Sequence, residues 1–313
     1  MTTPDLPPTD QAPDVPPVTP GGGKNRRALL RRVVRIVFLL VALGFGAWFV
    51  ARQWDEVRAG FARISLPMTA ASLAAVVAAL LGAMFTWRSL LADLGSPLPV
   101  RPAAKVFFVG QLGKYIPGSL WPVLAQMEMG KDLGVPRSRS AAAFFLMMPV
   151  QLASGLLVTL ATLGWDRYGW ILLAVPVLLV LLEPKVINRL IGLVLRRLKR
   201  EPLERPLTRR GMLTALAWAL SGWIAYGVHL YFVVGSDLLF CVGAFALSWC
   251  LGILTFVVPA GAGVREVAMV AVLAPILDQG SAIAVALVSR MVIVAGDVIC
   301  AGVAGITAKR TGV

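Results

Sequence analysis

Residues 67–92 run for 26 positions with a single charged residue, Arg88. At 1.5 Å per residue such a helix reaches roughly 39 Å, enough to cross a bilayer with tilt. A run this long has few other destinations, because it is too long for a buried strand and leaves no polar face for water. Further spans fit 36–50, 139–163, 168–184, 211–234 and 281–307. The whole chain of 313 residues is 58% hydrophobic before its 30 glycines are counted, and only 15% charged. A soluble domain carries about 25% charged residues, so there is too little polar surface here to clothe one. The expected fold is an all-α polytopic membrane protein with about six transmembrane helices.

Charge sets the orientation. Residues 1–23 hold seven prolines, Asp5, Asp10 and Asp14, and no basic residue. They read as a disordered, extended cytoplasmic tail, too acidic for a signal peptide. All 30 Lys and Arg therefore lie beyond it, against the remaining 13 of the 16 acidic residues. A basic excess can mean nucleic acid, but here it is clustered between apolar runs: Lys24 to Arg35, the 185–210 loop, and Lys309 with Arg310. That is the pattern of cytoplasmic loops facing anionic lipid, so no nucleic acid partner is expected. Both termini are placed in the cytoplasm of a multi-pass cell-membrane protein. The integral membrane domain covers 24–308, and 309–313 is a short cytoplasmic end. Arg88, near a span end, is expected to snorkel.

Two apolar segments are interrupted. Segment 103–128 contains Gly110, Gly113, Pro117, Gly118 and Pro122, and segment 238–278 breaks at Pro259-Ala-Gly-Ala-Gly263. A break facing lipid would leave backbone groups unsatisfied at several kcal/mol each, so such breaks sit in protein or line a wet cavity. Both segments are read as re-entrant hairpins. Span, inside hairpin, span (67–163) then mirrors span, outside hairpin, span (211–307), the inverted arrangement of secondary transporters.

The charged residues inside these elements carry the chemistry. Lys114 lies in hairpin one, where a charge costs about 2.5–3.5 kcal/mol at mid-membrane. An anionic ligand, a phosphate above all, would offset that; snorkelling to the near interface is the alternative. Tyr115 and Trp121 either meet a head group or belong to an interfacial belt. In hairpin two, Gly261 and Gly263 allow close backbone approach, and a helix start there offers free N–H groups to an anion. Arg265 adds a planar fork for phosphate or carboxylate, and Glu266 is expected to pair with Arg265 or a neighbouring cation. Arg290 and Asp297, seven residues apart in the last span, share one helix face and should point into the bundle, as a salt bridge or as a substrate contact. Glu128 is expected at the interface, and His229, the single histidine, as a satisfied packing residue. Cys241, Cys250 and Cys300 form no CxxC pair and suit neither a disulfide framework nor a zinc site. No GxSxG, HExxH, P-loop, dinucleotide fingerprint or acidic pair occurs, so no enzyme activity, metal or cofactor is expected.

The stretch Gly113-Lys-Tyr-Ile-Pro-Gly-Ser-Leu-Trp121, the later Pro-x-Gly-x-Gly-Val-Arg-Glu266 and Arg290 together resemble the lysylphosphatidylglycerol synthase transmembrane-region family, over roughly 30–307. The resemblance implies a flippase-type membrane domain that moves a lipid made elsewhere; no synthase domain is present in this sequence. It marks Lys114, Pro117, Gly118, Trp121, Pro259, Gly261, Gly263, Arg265, Glu266 and Arg290 as the positions matching the family pattern. The expected function is translocation of an anionic phospholipid or a polyprenyl-phosphate-linked sugar, downhill or ion-coupled because no ATP motif exists. A proton route through Glu266 or Asp297 is conceivable. Expected partners are membrane lipids and a glycosyltransferase or lipid synthase. The alternatives are an enzyme of polyprenyl-phosphate lipids and an accessory subunit of glycolipid or envelope-polysaccharide synthesis, docking through the basic 185–210 loop.

Overall fold

The computed structural model describes residues 65–115, 120–164, 175–197, 205–235, 237–254 and 263–310, with positions 54, 55, 58, 169 and 173 besides. The tail 1–23, the expected span 36–50, residues 168, 170–172 and 174 of the expected span 168–184, and Pro117, Gly118, Pro259 and Gly261 lie outside the described residues. Everything regular among the described residues is helical.

Helix α1 (Leu66–Asp93) starts at Ser65, whose hydroxyl accepts from the Met68 N–H, and carries Pro67 in its first turn. Pro is tolerated there because the N–H it lacks would have no intrahelical partner. Helices α2 (Val100–Gln111) and α3 (Trp121–Lys131) follow, α2 ending in a 3-10 turn, Leu112–Tyr115. Helix α4 spans Arg137–Leu163, α5 Val175–Leu182 and α6 Pro184–Arg197. Helix α7 spans Arg209–Val234, α8 Leu238–Leu254, α9 Val264–Leu273 and α10 Gln279–Arg310. Four of these, α1, α4, α7 and α10, are long and apolar enough to cross a membrane.

Side-chain contacts fix the directions. Ser72 meets His229, Phe85 stacks on Trp218 with centroids 4.5 Å apart, and Asp93 accepts from Thr208, so α1 and α7 run antiparallel. They touch backbone to backbone at mid-length: a Cβ on Gly82 would lie 3.0 Å from the Gly222 Cα. This is the small-residue contact that drives helix association where lipid is as apolar as leucine. Helix α7 is started by Thr208, whose hydroxyl accepts from the Gly211 N–H and donates to Asp93.

Each interrupted segment folds back on itself. In the first, Gly110 packs on Gln126 and Gly113 on Pro122 and Trp121, so α2 and α3 are antiparallel. A Cβ on Gly113 would lie 2.9 Å from the Pro122 nitrogen, which leaves no room for any larger residue. In the second, Gly252 packs on Arg265 and Ser248 on Met269, so α8 and α9 are antiparallel too.

The core is aromatic at its centre. Tyr226 stacks on Phe245 with centroids 4.4 Å apart, and the Trp223 indole donates to Ser154 at 2.9 Å. A Cβ on Gly227 would collide with Val242, coming within 2.6 Å of its Cα. Gly227→Val is therefore expected to part α7 from α8 and destabilise the protein by about 1–3 kcal/mol, read as a lowered midpoint of thermal unfolding in detergent.

One expectation changes. The basic 185–210 loop is helical over much of its length. Pro184 and Ile187 of α6 are buried while Lys185, Arg189, Arg196 and Arg197 are exposed, the period of an amphipathic helix. Asn188 clasps the Leu207 backbone with two hydrogen bonds, 2.9 and 2.8 Å, which ties α6 to the entry of α7. Arg88, half-buried, reaches toward the end of α1, where its Nε donates to the Leu98 carbonyl at 2.8 Å. That bond satisfies an acceptor in the turn after α1.

Candidate functional site

The site is built on one face of α10. Arg290 and Asp297 are two turns apart, about 10 Å along the axis, and each is claimed by a different interrupted segment. Asp297 is only 3% exposed and lies 2.7 Å from the Lys114 ammonium of the 3-10 turn after α2. The same oxygen, Oδ2, accepts from the Tyr115 hydroxyl at 2.5 Å. Lys114 also sits 5.3 Å from the centre of the Tyr115 ring. Arg290 lies 3.5 Å from Glu266 in the first turn of α9. The other Glu266 oxygen accepts from the Gly263 N–H at 2.6 Å. Gly263 has φ of +88°, a conformation that favours glycine, and the chain turns into α9 there. The Glu266 carboxylate thus serves twice: it caps α9, where the helix dipole favours negative charge, and holds Arg290.

Arg265, one residue earlier, points elsewhere. Its guanidinium lies over the Phe245 ring of α8 at 4.8 Å, and a Cβ on Gly252 would come within 2.9 Å of its own Cβ. Among the described residues Arg265 makes no ion pair; of the two partners expected for Glu266, Arg265 or a neighbouring cation, Glu266 meets the second, Arg290. The reason is helical geometry: adjacent positions point about 100° apart and do not face each other. Arg265, Glu266 and Arg290, with Met269, Ala286 and Ser289, line a small, partly open pocket between α9 and α10.

A family model, the lysylphosphatidylglycerol synthase TM region, matches residues 32–301. The chain belongs to this family. No curated protein matches the chain.

In this member of the lysylphosphatidylglycerol synthase TM region family the long apolar helices are those of a multi-pass integral membrane protein. Among the described residues, Lys114, Arg265 and Arg290 stand against two carboxylates, Glu266 and Asp297, so the cluster carries a net positive charge. Among the described residues Arg265 is the cation of this cluster that meets no carboxylate, and it is half-buried. A charge kept inside an apolar bundle costs several kcal/mol unless compensated. The ring of Phe245 supplies part of that through a cation–π contact, worth about 2 kcal/mol when desolvated. Its planar fork can take a phosphate or carboxylate in two hydrogen bonds.

The other singled-out residues divide. Trp121 begins α3 half-exposed and packs against Gly113, the residue before Lys114. Gly263 is at the site, while Pro117, Gly118 and Gly261 lie outside the described residues. Glu128 is exposed and held by Arg137 in two hydrogen bonds from one Nη atom and one from Nε, 2.6 to 3.1 Å. His229 is fully buried with both ring nitrogens engaged, as expected of a packed histidine. Cys241, Cys250 and Cys300 are free and buried. Sequence reasoning missed Ser289, which lines the pocket and also bonds His229. Its position beside Arg290 on the same helix was the available signal.

Proposed function

We propose that the protein is a translocase for an anionic phospholipid or a polyprenyl-phosphate-linked sugar, in the cell membrane with both termini cytoplasmic. The head group crosses between two re-entrant hairpins, α2–α3 and α8–α9, while the acyl chains stay in the bilayer. About six spans surround them in an inverted arrangement. The observation that carries this reading is the pair of contacts on α10: both interrupted segments bring charged residues near their breaks to one helix face. Charges of this kind inside a membrane bundle mark a substrate path. The antiparallel α1 and α7, meeting at Gly82 and Gly222, support the inverted arrangement. The apposed Arg265 and Arg290 support an anionic substrate. Phosphate is common to both candidate lipids.

The test is a reconstituted assay with fluorescent phosphatidylglycerol and a polyprenyl-phosphate sugar side by side. One of them is expected to cross about tenfold faster or more than in protein-free vesicles, a barrier lowered by about 1.4 kcal/mol. If neither does, the translocase reading falls. The accessory-subunit reading then stands, favoured by the exposed arginines 189, 196 and 197 of α6 as a surface for a glycosyltransferase or lipid-synthase partner.

A further inference from the structure

His229 is the single histidine of the chain and is fully buried on α7. Four neighbouring helices present groups to it. From α1, Ser72 Oγ lies 2.6 Å from Nδ1, and from α10, Ser289 Oγ lies 2.8 Å from Nε2. From α8, Phe245 meets the imidazole edge to face at 5.9 Å, and from α9, Arg265 lies over that same Phe245 ring. Among the described residues no carboxylate is hydrogen-bonded to the ring.

The identity of the two partners matters. A backbone carbonyl or a carboxylate fixes one tautomer, because it only accepts. A serine hydroxyl both donates and accepts. The neutral ring therefore receives one O–H and donates one N–H. The imidazolium donates at both nitrogens, and the hydroxyl that had donated turns to accept. Both hydrogen bonds survive protonation, so one geometry holds two charge states.

Ser289 connects this device to the pocket it lines with Arg265, Glu266 and Arg290. Two guanidinium groups and one carboxylate leave that pocket positive, one hydrogen bond from the imidazole. A field of that sign opposes a further cation at His229, and an anion entering the pocket removes the opposition. We propose that His229 takes up a proton from water when a phosphate-bearing anion binds between Arg265 and Arg290, so that anion and proton are bound together. The linkage is reciprocal: the protonated imidazole strengthens anion binding by the same factor. Only an N–H bond forms, and the proton leaves when the anion does. That the two also cross the membrane together rests on the translocase reading; that they bind together does not.

One histidine gives one set of ring-nitrogen resonances, so full-length protein labelled with 15N-histidine reports the site directly. At a fixed pH of about 6.5, nanodiscs of phosphatidylcholine are expected to give the neutral imidazole pattern. Doping the discs with phosphatidylglycerol is expected to convert it to the imidazolium pattern. Conversion by phosphatidylglycerol but not by inorganic phosphate assigns the ligand as a lipid head group, and conversion by both assigns a phosphate site open to water. Arg265→Gln is expected to abolish the response. A pattern that stays neutral with both anions, or is already imidazolium in phosphatidylcholine, overturns the proposal whether or not lipid crosses in the vesicle assay. In vesicles, a proton gradient is expected to accelerate lipid crossing by the wild type, and His229→Gln to lose that acceleration. Crossing that ignores the gradient in the wild type would remove the transport half and leave the binding half to the resonances. Where His229→Gln fails to fold, the wild-type resonances still decide.

Discussion

Lys114→Met is expected to destabilise the protein by about 3–5 kcal/mol, the usual cost of stranding one member of a buried ion pair. The asymmetry of the pair makes this the worse of its two truncations. Lys114 is 29% exposed and Asp297 only 3%. Removing the lysine leaves a carboxylate sealed in the bundle with the Tyr115 hydroxyl as its remaining partner among the described residues. Removing the carboxylate leaves an ammonium that can swing toward the opening. Asp297→Asn keeps an acceptor for Tyr115 and is expected to cost less than half as much. The double variant, Lys114→Met with Asp297→Asn, is expected to recover most of the loss, since no charge is left unpaired. Unfolding of the purified protein in mixed micelles measures all three. Equal costs for the two single variants, or a double variant as unstable as Lys114→Met, would mean the pair is not sealed.

The largest expected effect on transport is at Arg265. Arg265→Lys keeps the charge and the stem packed on Gly252 but loses the fork and the flat face over Phe245. A charge-assisted hydrogen bond to an anion is worth about 1.5–3 kcal/mol, so lipid crossing should fall by about tenfold to a hundredfold with folding and insertion intact. Glu266 gives the control. Because it pairs with Arg290, exchanging Arg265 and Glu266 is not expected to restore transport. It would also strip the cap from Gly263, since a carboxylate at position 265 no longer occupies the N3 position. Wild-type rates in Arg265→Lys, together with rescue by the exchange, would leave Arg265 as a packing residue.

The long helices were legible because an apolar run of that length has one destination. The ends of α1, α4, α7 and α10 fall within a few residues of the spans read from hydropathy alone. The arms of the interrupted segments were legible for a related reason: Gly and Pro cluster where the chain must stop being helical, and apolar residues flank them. That Arg290 and Asp297 share a face follows from their spacing of seven. What they touch does not. Asp297 meets residues in a segment more than 180 positions earlier, and no local pattern encodes such a partner. That Glu266 pairs with a neighbouring cation, Arg290, and not with Arg265 comes from the packing of α9 on α10, which no local pattern encodes. Helix α6 was hidden by its charge, since its basic residues outweigh the buried Ile187 in any count of composition. His229 was placed correctly as packed, but nothing local announced that both of its partners would be hydroxyls.

Gly296 has a mechanical consequence. It lies against α1 so closely that a Cβ there would come within 2.6 Å of Val76, which makes that contact the natural fulcrum if α10 tilts. Asp297 is one residue from the fulcrum and barely moves. Arg290 is six residues away, a lever arm of about 9 Å, and a tilt of about 10° sweeps it through about 1.6 Å. Its bond to Glu266 is already the looser of the two, at 3.5 Å against 2.7 Å. If α10 rocks about this contact, the two ion pairs on this helix are loaded unequally: the longer lever arm falls on Arg290–Glu266 and the shorter on Lys114–Asp297.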